Sequence, residues 1–265
     1  MDIFTLLEDH AAIFFLIFSR AAGIFMVSPF FGSQNIPMLI RAGISFVIAV
    51  CIFPVIDANV EFLYNMQNVY AYALVIGKEV FVGWLIGMVA YIIMSAINMG
   101  GKVMDMQVGF AMVQVLDPTT NQQNALIGGF LYNLSIIFLV FTNGHYLILE
   151  ALVASFEGVP ISLASPSAGL AELMVNITFY IFLTGMKIAL PVTFAILMTN
   201  VGLGILARTM PQMNIFVVGI PMQLTIGVGV LCMFVPFFIL YLDVIFDAIY
   251  SNIKVALHAL MPVLP

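Results

Sequence analysis

The chain has 265 residues, of which 63% are hydrophobic and only 8% charged, with a formal net charge of −6 and a mean hydropathy of +1.18. A soluble globular domain carries roughly 25% charged residues and about half apolar ones, so the composition excludes that class and points to an integral membrane protein. The few scattered acids exclude a nucleic-acid partner, which a basic face would announce.

The residues before the first apolar run, "MDIFTLLEDH", are acidic rather than basic, so that run is expected to stay in the mature chain. Six apolar runs follow, at 11–31, 39–56, 70–99, 125–143, 173–198 and 215–242. Each approaches or exceeds the roughly 20 residues that cross the hydrocarbon core as a helix. Open strands cannot satisfy their backbone in lipid, so the expected fold is all-α and polytopic, with about six helical segments.

The first run holds Arg20 near its middle. A cation at a helix centre costs about 2.5–3.5 kcal/mol on insertion scales, which favours contact with protein or with a water-filled path over lipid. The run ends in "SPFFGSQNIP", a turn-rich stretch, and the second run, from Arg41 side to "FPVID", carries Cys51. Cys51 and Cys232 read as free, buried cysteines. In the third run Lys78 and Glu79 come early, and Glu79, Gly83 and Gly87 share one face. That face joins a charge to a small-residue surface that lets another backbone approach. Ser95, Asn98, Lys102 and Asp105 then form one polar stripe at steps of three, four and three across an expected break at "GGK".

After Asp105 the stretch "DMQVGFAMVQVLDPTTNQQNA" is half apolar and half polar, too long for a simple turn. The fourth run closes at "TNGH", where His145 and Glu150 are poorly spaced to share a metal. Past "SPSAG", the fifth run carries a second polar stripe, Asn176, Tyr180, Thr184 and Lys187. Its tail "VGLGILAR" leads through "ARTMPQMN" into the last run. Pro191, Pro221 and Pro236 are expected to break or kink the last two runs, with Pro211 stopping the helix between them. Freed backbone at membrane depth must be covered by protein or water. The 18 methionines suit irregular gaps, so the chain reads as one built to be wedged among other subunits.

Arg41, Lys102 and Arg208 lie at every second connection, whereas Asp57, Glu61, Glu150, Glu157 and Glu172 lie at the others. The positive-inside rule then places the N-terminus outside and the Lys102 side in the cytoplasm, with Lys254 dissenting. The sequence has no HExxH zinc helix, no phosphate-binding glycine loop and no GxSxG elbow, so no enzyme and no cofactor is expected.

Four phrases, "SPFFGSQNIP" (28–37), "DMQVGFAMVQVLDPTTNQQ" (105–123), "NGHYLILEALVASFEGVP" (143–160) and "ARTMPQMNIFVVGIP" (207–221), resemble the FliR family in order and spacing over essentially the whole chain. The "DPTTNQQ" tail is similar to the flagellar branch rather than to the injectisome paralogue. The resemblance implies a non-enzymatic subunit of the type III export gate in the bacterial inner membrane, at the flagellar basal body. FliP-like and FliQ-like subunits and an FlhB-like switch protein are the implied partners, and unfolded flagellar subunits the cargo. It further implies tilted, broken helices standing partly on the periplasmic side of the bilayer. On that pattern, 1–155 is a FliP-like part, 156–172 a connecting loop and 173–265 a FliQ-like part.

The stretch after Asp105 then reads as a plug. Gly109 permits the turn, and Met106, Phe110, Met112 and Val113 supply a soft apolar stopper of the kind that gates by dewetting. The alternative is an amphipathic loop on the membrane surface. Arg20, Glu79, Gly83, Gly87, Lys187, Arg208, Gln212 and Asn214 are the expected contacts to other subunits or, for the charges, to each other. A small-solute transporter, which also uses broken helices and internal charges, is the competing class, and a scaffold that seats the gate without lining it is a third.

Overall fold

The computed structural model describes residues 3–33, 36–56, 69–110, 125–165, 167, 169–212 and 214–261. Among them are seven α-helices, one 3-10 turn and no strand: α1 Ile3–Val27, α2 Met38–Ile52, the turn Phe53–Val55, α3 Val69–Val108, α4 Leu126–Phe141, α5 His145–Gly158, α6 Gly169–Thr209 and α7 Ile215–Leu260. Five stretches are long and apolar enough to cross a membrane: α1, α2 with its 3-10 turn, α3, α6 and α7. The broken pair α4 and α5 makes a sixth if it counts as one span. The all-α, polytopic architecture expected from the apolar runs is what the chain adopts.

The breaks differ from expectation in two places. At "GGK" α3 does not stop but runs on to Val108. Gly100 and Gly101 serve there as contacts: a Cβ on Gly100 would meet the Gly185 carbonyl oxygen at 2.7 Å, and one on Gly101 would run into the Gly128 backbone. Of the break or kink expected at Pro191, Pro221 and Pro236, the break does not occur: Pro191 lies inside α6, and Pro221 and Pro236 inside α7. Proline removes one hydrogen bond of the ladder, which packed neighbours can compensate in a membrane helix. At "TNGH" the chain breaks as expected, with Asn143 at φ 59°, a left-handed conformation that asparagine tolerates.

The chain forms two compact units, one of Met1–Ile92, Thr142–Ile177 and Asp247–Pro265, the other of Ile93–Phe141 and Thr178–Phe246. In the first, α1 packs on α2 and α5. Phe14 and Phe18 meet Phe46 edge to face, and Phe14 also meets Phe53. Leu16, Ile17, Ala21 and Ile24 of α1 are buried, as are Val82, Ile86, Val89 and Ala90 of α3. Lipid tails are as apolar as leucine, so this association draws on close packing rather than on escape from water. Glycine makes it close. A Cβ on Gly83 would strike the Arg20 carbonyl oxygen, and one on Gly87 would come within 2.7 Å of the Ile24 carbonyl oxygen.

In the second unit the core consists of Ile93, Met94, Ile97 and Met104 of α3, Ile127 and Leu131 of α4, and Val192 and Ile196 of α6. The helices here present broad apolar faces outward, including Phe194, Met198, Phe237 and Leu240. Cys232 shares that exposure, and Cys51 is exposed on α2. This corrects the expectation that both cysteines are buried: an apolar run in a membrane chain does not imply an inward-facing side chain, because lipid or other subunits can cover it.

Helices α3, α6 and α7 have 40, 41 and 46 residues. At about 1.5 Å per residue, each is about twice as long as the ~30 Å hydrocarbon core is thick.

Candidate functional site

The stretch singled out as a plug begins where α3 ends. Gly109 takes φ 98°, the conformation that glycine adopts without a Cβ penalty, and its N–H donates to the Asp105 carbonyl oxygen at 3.2 Å. Met106 is exposed on the last turn, and Phe110, half-buried, follows the glycine. Met112 and Val113 lie outside the described residues. The chain is described again from Ala125, where α4 starts against the end of α3. Asp105, 3% exposed, accepts the Ile127 N–H at 3.0 Å on Oδ1 and the Gly128 N–H at 3.4 Å on Oδ2. The polar stripe therefore divides by environment, with Lys102 exposed and Asp105 buried at a helix N-terminus.

Beside Gly109 lies a cleft of about 480 Å³ in the same unit. Gln107, Asn200 and Gln223 bring amides to it, and Gly204 and Gly219 leave room. The Gln223 amide donates to Asn200 Oδ1, joining α7 to α6. None of these residues was expected at a site; the amides carry no charge and no motif that would single them out in the sequence.

In the other unit Arg20 and Glu79 find each other. Both are fully buried, with Nε to Oε2 at 2.6 Å. Arg20 Nη1 donates to the Ser155 carbonyl oxygen at 2.8 Å and to its Oγ at 3.2 Å, and the guanidinium stacks 4.2 Å above the Phe156 ring. Glu79 Oε1 accepts the Ser162 N–H at 2.9 Å, in a turn where Ser162 has φ 72°. The helix-to-helix approach anticipated for Gly83 and Gly87 is filled by α1 of the same chain. Ser155 and Ser162 went unsuspected, since a serine that supplies its backbone to an ion pair leaves no pattern.

Four other interface candidates lie on the outside. Lys187 is exposed between Met186 and Leu190 on the apolar face of α6. Arg208 and Gln212 are exposed around the end of α6, and exposed Asn214 accepts the Val217 N–H at 3.1 Å as α7 begins. Arg41, expected as a loop cation, instead folds back on its loop, with Nη2 donating to the Ser33 and Ile36 carbonyl oxygens at 2.8 Å each.

Long apolar helices, a buried ion pair and an exposed cation within an apolar helix define a polytopic membrane protein. The family model "Bacterial export proteins, family 1" matches residues 11–249. The chain is 33% identical over 229 residues to the flagellar biosynthetic protein FliR of Bacillus subtilis (strain 168), covering 84% of this chain and 87% of that one. It is 27% identical to the FliR of Pectobacterium carotovorum subsp. carotovorum, covering 90% of each chain. With the FliR of Escherichia coli (strain K12) the identity is 23%, over 88% of this chain and 87% of the other. The chain belongs to this export family, in its flagellar FliR branch. It is a membrane-embedded component of the flagellar export apparatus.

Proposed function

We propose that the chain is a non-enzymatic core subunit of the flagellar protein-export gate, and that the segment after Gly109 plugs the channel through which unfolded flagellar subunits are secreted. One observation carries the plug reading. The chain leaves α3 at a left-handed glycine and resumes in α4 at a point where the two helix backbones touch, at Gly101 and Gly128. The residues between must depart from and return to one place, as a stopper mounted on a fixed base does.

FliP-like and FliQ-like subunits are the proposed neighbours, with a neighbouring gate subunit or an FlhB-like protein at the Arg208 corner. Lys187 supports such neighbours, because a lysine exposed on the apolar face of α6 is costly against hydrocarbon and is answered by a polar or acidic group of another subunit. The exposed apolar faces of α6 and α7 offer the area for them. Helices longer than the bilayer is thick support an assembly standing partly outside the inner membrane; its placement on the periplasmic side rests on the family resemblance alone. The division into 1–155, 156–172 and 173–265 belongs to the same proposal.

Deleting residues 109–113, or replacing Phe110 and Met112 with serine, is the test. Cells carrying the assembled variant gate should leak small ions. A deletion that co-purifies with its partners and stays as tight as wild type refutes the plug. A chain that purifies without FliP-like and FliQ-like proteins refutes the gate.

A further inference from the structure

Asp105 does something that its place in the polar stripe does not explain. It is buried, it has no ion-pair partner among the described residues, and both of its carboxylate oxygens are used. The groups it accepts are N–H groups in the first turn of α4, which have no carbonyl partner inside that helix. An anionic acceptor is favourable there. Such a cap usually comes from the residue just before the helix. Here that residue is Ala125, whose carbonyl oxygen takes the first intrahelical bond from Gly129 but whose methyl group can accept nothing. The cap is supplied from 22 residues upstream.

A cap supplied at that distance in sequence is also a cross-link, since it forms only while the end of α3 and the start of α4 are together. One turn earlier, Gly101 lies against Gly128 with no space for a side chain. One turn later, Gly109 donates its N–H to the Asp105 carbonyl oxygen as the chain turns off the helix. A single residue therefore holds the point of departure through its backbone and the point of return through its side chain.

We infer that Asp105 is the positioning residue for the segment between Gly109 and Ala125, holding both ends of that segment at one point. The inference rests on the plug reading for its consequence in the cell, and on the hydrogen bonds alone for the anchoring itself.

The experiment separates a cross-link from an ordinary helix cap. In the full export complex, Asp105→Ala should raise ion leak several-fold and speed amide exchange in residues 126–129. Asp105→Asn keeps one acceptor and should fall between that variant and wild type. The deciding variant is Asp105→Ala combined with Ala125→Asp, which restores a cap from the local position without linking the helices. It should recover assembly and amide protection yet still leak. If the double variant is as tight as wild type, Asp105 is only a cap and the inference fails. It fails equally if Asp105→Ala assembles with unchanged leak and unchanged exchange. Should Asp105→Ala not assemble, the double variant and Asp105→Asn carry the reading, and failure of all three to assemble overturns it in favour of a purely structural acid. If the 109–113 deletion does not leak, the plug reading falls by itself. Exchange at Ile127 and Gly128 in Asp105→Ala then decides whether the anchoring stands.

Discussion

Arg20 of α1 and Glu79 of α3, 59 residues apart, meet as a fully buried ion pair, and each makes a further hydrogen bond on the α5 side of the same unit. Arg20 reaches the Ser155 backbone and Glu79 the Ser162 backbone, so one pair of charges joins two helices to a third helix and to the turn beyond it. Arg20 Nη2 is buried without a partner among the described residues. The carboxylate uses both of its oxygens, while the guanidinium keeps that one nitrogen unanswered.

Removing one charge should therefore cost more than removing both. Arg20→Leu leaves Glu79 buried and unpaired, a loss of about 3–5 kcal/mol. Arg20→Met with Glu79→Leu removes the charges together and should recover part of it. The recovery stops short because the Ser162 N–H loses its acceptor, at about 1–3 kcal/mol. Thermal unfolding of the detergent-solubilised complex ranks the three proteins. A single variant as stable as wild type would show that the pair contributes nothing.

Glycines on one helix should divide by what faces them. A Cβ on Gly83 meets the Arg20 backbone, whereas one on Gly77 meets nothing within 4 Å. Gly83→Ala should push α1 from α3 at an overpacking cost of about 1–3 kcal/mol. Gly77→Ala should be neutral or stabilising by up to about 1 kcal/mol, the helix-propensity difference. Equal melting temperatures for the two variants contradict the assignment of Gly83 to the α1 contact.

Gly109 has space for a methyl group but the wrong backbone for it. Gly109→Ala should cost about 1–2 kcal/mol in a left-handed conformation, and Gly109→Asn less, since asparagine tolerates that region. Proteolytic nicking after α3 should be faster in Gly109→Ala than in Gly109→Asn, and slowest in wild type. A reversed order would mean that the conformation at Gly109 does not matter.

At the corner between α6 and α7, Gln212→Ala with Asn214→Ala should lower recovery of partner subunits, and a Gly-Ser replacement of residues 209–214 should lower both recovery and swimming. Wild-type values for both in the Gly-Ser variant would reduce this corner to a connector.

Much of the molecule was legible in order along the chain. Apolar runs of membrane length permit only helices, because lipid leaves no other way to satisfy the backbone. The charges within those runs marked Arg20, Glu79 and Lys187 as residues that cannot simply face lipid, and Gly109 announced its turn through the stretch that follows it. What the runs could not say is which residue answers which. Glycine has two readings in a membrane helix, breaker or contact, and only packing chose between them at Gly100 and Gly101; proline likewise need not end a helix, and Pro191, Pro221 and Pro236 all lie inside one. Arg20 could have met another subunit or its own chain, and the closeness of α1 to α3 decided for Glu79. Periodicity also places Asp105 on a face without naming its acceptor's donors, which lie in a helix that starts 21 residues later. The composition and hydropathy of a segment act locally and can be read one segment at a time. A buried hydrogen bond or a backbone-to-backbone contact depends on where two distant segments come together, and only the tertiary structure decided that.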